Sequence, residues 1–286
     1  MKKILTEWKK FLEQEAPVKK KMSFKKRPPR TADGYGSKQK PCDLGGEINW
    51  NEDLGKYQFH PHHPSKPETW ECNTPIENVL LFVFQQFIVE NKVKAITSQI
   101  AKYIISYFKD KTEDNLPINR VAKNAPVYRG TFRGGKATLG QRGIAEIYKN
   151  TDWLNPSAEQ GDYVRFPYKG SYMPHRPVAS FSFSFEAANK FAVESGVERA
   201  MPVIFETPAN TETAGGGFFI DFEDFYKLVD NPNNPFKISG ADGFAHEQEA
   251  LLIATQPGDP LRVPWIWIPR KWAETLSARA KKGSQK

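Results

Sequence analysis

The sequence predicts an α+β protein, with helices first and then a mainly antiparallel β core that carries short helices. Three observations lead there. Between Thr74 and Asp110, apolar residues recur at three- and four-residue steps, the period of an α-helix. After Asp110 the texture changes to short apolar runs, rich in β-branched and aromatic residues and separated by turns. No repeating strand–helix–strand pattern follows, so a doubly wound parallel sheet is not expected.

In chain order, residues 1–41 come first as a basic tail. Ile4, Leu5, Trp8, Phe11 and Leu12 share one stripe of a short amphipathic helix over 1–15. The stretch 16–41 is rich in Lys, Arg, Pro and Gly, lacks periodicity and reads as disordered linker. Residues 1–40 hold 13 of the 41 Lys/Arg and 4 of the 33 Asp/Glu. The net charge of +8 therefore belongs to this tail, and contact with nucleic acid or a capsid is expected only there. Residues 42–73 read as an extended Pro/His-rich linker. They gather Cys42, His60, His62, His63 and Cys72, but without the spacing of known zinc sites, so no metal is expected.

Two cysteines are too few for a disulfide scaffold and fit a reducing compartment. The opening "MKKILTEWKKFL" places Glu7, Lys9 and Lys10 where a secretory leader needs an apolar run. The most apolar window, residues 79–89, contains Gln85 and Gln86 and falls well short of the roughly 20 residues that span a bilayer. The expectation is a cytoplasmic protein without a membrane partner.

The folded domain is expected over 74–275, with a helical part at 74–110 and a β-rich part at 120–270. Val79, Phe82, Val83 and Phe87, then Val93, Ile96, Ile100, Tyr103, Ile104 and Phe108, mark helices broken near Glu90–Lys92. Thr74, before Pro75 and Glu77, supplies an N-cap. Strands are expected in "APVYRGTF", "VASFSFSF", "MPVIFETP", "GGGFFIDF", "EALLIATQ" and "WIWIP". Helices are expected at 186–195, capped by Ser184, and at 222–229. Residues 276–286 read as a frayed basic tail.

Several stretches could carry chemistry. "GTFRGGKAT" imitates a phosphate-binding loop from Gly130 through Gly135 and Lys136, but Ala137 stands where Mg²⁺ needs a hydroxyl. In "VYRG", Arg129 enters an apolar strand, either snorkelling at an edge or forked onto a carboxylate or phosphate. Strict alternation places Ser180, Ser182 and Ser184 on one strand face and Phe181, Phe183 and Phe185 on the other. The serine face is either a solvated edge or a polar row aimed at a ligand. In "HEQEALLI", Glu247 and Glu249 would share one side of a strand about 7 Å apart. That suits two carboxylates acting on one reacting centre, or an exposed acidic strand start.

Taken together and in order, these motifs resemble the R-S-E class of mono-ADP-ribosyltransferases, the arginine-modifying group of bacterial toxins and tailed phages. The resemblance covers roughly residues 120–270 and departs from the family where Phe183 follows the Ser-x-Ser in place of a frequent threonine. It implies a β core of two facing sheets and NAD as substrate, with no metal. It assigns Glu249 to the ribose and Glu247 to the guanidinium of an arginine acceptor on a protein, expected to be a host protein. Arg129 and Gly130 would hold the pyrophosphate end, and Ser180, Phe181 and Ser182 would position Glu249 and the nicotinamide ribose. Two alternatives stay open: an NAD glycohydrolase on the same fold, and a nucleic-acid-binding or virion structural protein acting through its basic tail. A phage protein carried into the host cytoplasm, packaged in the virion, would suit the layout.

Overall fold

The computed structural model describes residues 45–61, 75–109, 124–133, 138–193, 201–221 and 249–284. The chain begins with a correction. Residues 46–61, expected as extended linker, form a hairpin of β1 (Gly46–Asn51) and β2 (Lys56–Pro61). Ile48 and Tyr57 from it are buried in a core with the helices that follow. The turn needs Gly55, whose φ of 56° is costly for residues with a Cβ.

α1 (Ile76–Phe84) runs into a π-helical turn, Gln85–Val89, and the chain then breaks over Glu90–Lys92 as expected. Asn91 makes the break with φ 50°, a conformation Asn tolerates better than most residues. After one 3₁₀ turn, α2 (Ser98–Lys109) starts with the Ile100 amide donating to Thr97 Oγ1 at 3.3 Å. The other expected cap, Thr74, lies outside the described residues.

The β core is built from β3 (Pro126–Arg133), β4 (Ala158–Gln160), β5 (Tyr163–Pro167), β6 (Ser171–Tyr172), β7 (Val178–Ser182), β8 (Met201–Pro208), β9 (Phe218–Asp221), β10 (Glu249–Ile253), β11 (Leu261–Arg262) and β12 (Trp265–Pro269). Among the described residues, three helices intervene or follow: α3 (Thr138–Asn150), α4 (Phe185–Val193) and α5 (Arg270–Ser284). The last replaces the frayed tail expected from residue 276. Ala273 and Leu276 anchor it on the sheet, and its basic end favours the helix C-terminus.

Eight strands form one antiparallel sheet in the order β4-β5-β12-β8-β3-β7-β10-β9, while β6 and β11 pair separately. The resemblance implied two facing sheets. Instead there are two halves of one sheet, joined where β3 meets β7 by a single residue pair, Tyr128 opposite Ser182. Both halves share a floor. Ala179, Phe181, Ala250 and Leu252 from one half and Val127, Phe205, Ile266 and Ile268 from the other belong to one apolar cluster, with Ile147 of α3 and Leu276 of α5.

The opposite face is divided. Val178, Leu251 and Ile253 pack with α1, α2 and the hairpin. Tyr163, Ile204 and Trp267 pack with Phe185, Ala188 and Ala192 of α4. Between those two cores runs a polar row.

Candidate functional site

Strands β3 and β7 touch at Tyr128 and Ser182 and then part. Among the described residues, β3 continues through Arg129, Gly130 and Thr131 paired only with β8, while β7 continues back through Phe181 and Ser180 paired only with β10. Where they diverge, a cleft of about 360 Å³ opens. Its lining includes Arg129, Gly130, Ser180, Phe181, Ser182 and Glu249, the six expected site residues that are described. The seventh, Glu247, lies outside the described residues, as does the 222–229 helix.

Cross-strand register places the carboxylate. Glu249 stands directly opposite Ser182, and Ser180 stands opposite Leu251. The neighbour that can hold Glu249 is thus Ser182, whereas the resemblance put Ser180 first in that role. Glu249 is 3% exposed and Ser182 5%. Ser182 Oγ accepts the Ser184 amide at 2.9 Å, which fixes its rotamer at the strand end. Ser184 in turn caps α4 as expected, its hydroxyl oxygen accepting the Ala187 amide at 3.2 Å. Ser180 is half-buried and faces the cleft, in reach of a ligand.

Arg129 has a task within the fold. Its Nη1 donates to the Ser180 carbonyl across the gap, where the ladder between the two strands has ended. The guanidinium lies 5.2 Å from the Tyr172 ring centroid and 5.8 Å from that of Phe181. Its Nε is buried with no hydrogen-bond partner among the described residues. Gly130 makes room for α4: a Cβ there would stand 1.7 Å from the Ala188 carbonyl oxygen and 2.9 Å from the Ala192 nitrogen. That close approach brings the helix over the cleft.

Tyr128, Thr131, Ala188 and Phe191 also line the cleft, and sequence reasoning did not single them out. Ala188 and Phe191 are three apart on the helix that Ser184 caps, so helical spacing was the available signal. Phe191 is 49% exposed and forms an aromatic rim. The Tyr128 hydroxyl is held above its ordinary pKa by burial and by the nearby Glu206 carboxylate, which keeps it neutral. Of the His/Cys group considered for metal, only His60 is described, on β2. No group of metal-ligating side chains occurs among the described residues, and no described helix is long and apolar enough to cross a membrane.

The fold and site together define an α+β protein with a polar cleft where two strands of one antiparallel sheet part. The cleft offers a buried carboxylate, hydroxyls, a guanidinium and an aromatic rim. A scan of protein-family models returns no match, and neither do searches of curated proteins or of solved structures.

Proposed function

We propose that this protein is an NAD-dependent mono-ADP-ribosyltransferase that modifies arginine on a protein, with a host protein as the acceptor. The observation that carries the reading is the meeting of three distant strands at one cleft. The arginine of β3, the Ser-x-Ser of β7 and the glutamate of β10 are about fifty and seventy residues apart in sequence, yet line the same cavity.

The chemistry asks for such a set. The bond from ribose C1′ to nicotinamide breaks with its electron pair leaving on the nicotinamide, and the sugar acquires oxocarbenium character. A buried carboxylate stabilises that positive charge more than it could in water. Glu249 has the burial and the place for it, and Ser182 opposite it the place to orient it. Ser180 and Thr131 offer hydroxyls to the ribose and phosphate end, and Phe191 a face for the leaving ring. A guanidinium nitrogen of the acceptor then bonds to C1′ and loses one proton, for which the resemblance offers Glu247 as base. The products are ADP-ribosyl-arginine, nicotinamide and a proton. Delivery by the basic segment 1–41 into the host cytoplasm belongs to this reading.

Purified protein incubated with labelled NAD and a bacterial lysate tests it, wild type beside Glu249→Gln. The expected result is label on protein with the wild type, lost when arginines are blocked beforehand. The variant should fall by roughly 10²–10³-fold, the cost of removing one transition-state stabiliser. NAD consumed with no protein labelled would replace transfer by hydrolysis. NAD untouched would sink the reading.

A further inference from the structure

We infer that the outer edge of β2 is a docking site for an extended, acidic peptide segment of a partner protein. Among the described residues, β2 pairs with β1 on one edge and with no strand on the other. On the other edge, the side chain of Gln85 imitates a strand: the Tyr57 amide donates to its Oε1 at 2.8 Å, and its Nε2 donates to the Tyr57 carbonyl at 3.0 Å. Tyr57 therefore turns both backbone groups away from β1. In an antiparallel pair the residue two further on must do the same. That residue is Phe59, opposite Ile48, and its outward N–H and C=O have no hydrogen-bond partner among the described residues.

A groove of about 520 Å³ runs along this open edge, lined by Phe59, His60, Phe82, Gln86 and Lys92 among others. Gln86 is 7% exposed and forms part of the lining of this groove. An open backbone pair beside a carboxamide matches the donors and acceptors of another main chain. Phe59 and Phe82, with ring centroids 6.4 Å apart, offer an apolar seat for one side chain. The charge selects the rest. Lys56 and Lys92 share one carboxylate, that of Glu90, at 3.9 and 2.5 Å, which leaves positive charge for an acidic residue of the peptide. The groove shares no lining residue with the cleft, so this inference stands independently of NAD chemistry.

The test is selection of a displayed library of random decapeptides against the full-length protein, followed by synthesis of the enriched peptides. Enriched sequences should carry Asp or Glu, bind saturably and slow hydrogen exchange at the Phe59 amide. Methylating alternate backbone nitrogens of the peptide should abolish binding, because strand pairing needs those donors. Gln86→Leu should weaken binding by about tenfold, the share of a lost pair of hydrogen bonds. Lys92→Glu, at an exposed position that cannot disturb the core, should weaken it by about fivefold. No enrichment, or peptides that bind both variants equally and leave Phe59 exchanging, would overturn the proposal. So would protection of Phe59 through concentration-dependent self-association without peptide, which would assign the edge to a second copy of the chain.

Discussion

Two glutamates at opposite ends of one polar row show how far a fold can separate the surroundings of identical side chains. Register runs Glu249–Ser182–Tyr128–Glu206 across four adjacent strands, on the same face of the same sheet. Both carboxylates are buried, Glu206 at 6% exposure and Glu249 at 3%. Glu206 is enclosed in the fold: Arg165 Nη1 donates to Oε1 at 3.0 Å, and Trp267 Nε1 donates to Oε2 at 2.5 Å. Arg165 is itself laid over the rings of Trp265 and Trp267, 4.7 and 5.6 Å from their centroids. Glu249 borders the cleft, at the place where strand pairing fails. Burial alone therefore does not say whether a carboxylate is enclosed or borders a cavity. What distinguishes their surroundings is that Arg165 and Trp267 enclose Glu206, whereas Glu249 borders the cleft opened where β3 and β7 part.

The comparison predicts opposite phenotypes. Glu249→Gln should lose activity by the two to three orders of magnitude given above while its thermal midpoint stays close to wild type. Glu206→Ala should do the reverse, costing about 3 kcal/mol by stranding Arg165 and the Trp267 donor, with turnover per folded molecule kept. Denaturant titration beside the labelling assay reads both. If Glu206→Ala abolished turnover while remaining fully folded, the division of roles would be wrong.

Gly130→Ala joins the two ends, because its Cβ would collide with the Ala188 carbonyl and push α4 away from β3. We expect a loss of about 2–3 kcal/mol together with weakened NAD binding, since α4 also carries Phe191. Calorimetry of the variant with and without NAD would show a smaller ligand-induced rise in the midpoint.

A third buried carboxylate extends the comparison. Asp259 is desolvated, which alone would raise its pKa. The Thr213 and Thr255 hydroxyls and the Gly215 and Thr255 amides outweigh that and hold it below its ordinary 3.8. A carboxyl with a depressed folded-state pKa contributes stability that is present above its unfolded value and lost as pH falls through the folded one. Wild type should therefore be more stable than Asp259→Asn at neutral pH, by about 1–2 kcal/mol. The gap should close below pH 3.8, which melting curves against pH can follow. A gap unchanged down to the folded pKa and below would contradict the assignment.

The smallest effect is expected at Arg129→Lys. An ammonium keeps the charge but loses the planar fork that bridges to the Ser180 carbonyl and lies against Tyr172 and Phe181. A destabilisation of about 1 kcal/mol is expected, with KM for NAD rising more than kcat falls. Steady-state kinetics separates the two.

Much of this was legible in the sequence, for local reasons. Serine–phenylalanine alternation placed β7 correctly on its two faces over Val178–Ser182, but not beyond: Phe185, expected beside Phe181, opens α4 and packs with Ile204 and Trp267 on the serine face. "MPVIFETP" and "WIWIP" became β8 and β12 over the same residues. Ser184 capped its helix, and the break at Glu90–Lys92 fell where the apolar period faltered. The failures were equally physical. Proline and histidine near 60–67 masked the short alternation of Ile48 and Trp50 with Tyr57 and Phe59, so a hairpin read as linker. The polar surface of α5 hid Ala273 and Leu276, the two residues that seat it. Tyr128 and Phe191 escaped notice because nothing local distinguishes a cleft aromatic from a core one.

The sequence by itself determined six of the eight strands of the main sheet, the apolar and polar faces of β7, and the break between the first two helices. Those properties depend on neighbours a few positions away, through backbone period and capping. Only the tertiary structure decided that Glu249 faces Ser182 rather than Ser180, that Glu206 is enclosed by arginine and tryptophan, and that β3 and β7 part after one pair to open a cavity. These depend on register between strands far apart in the chain. A shift of one residue there turns every side chain to the other face while leaving local propensity unchanged.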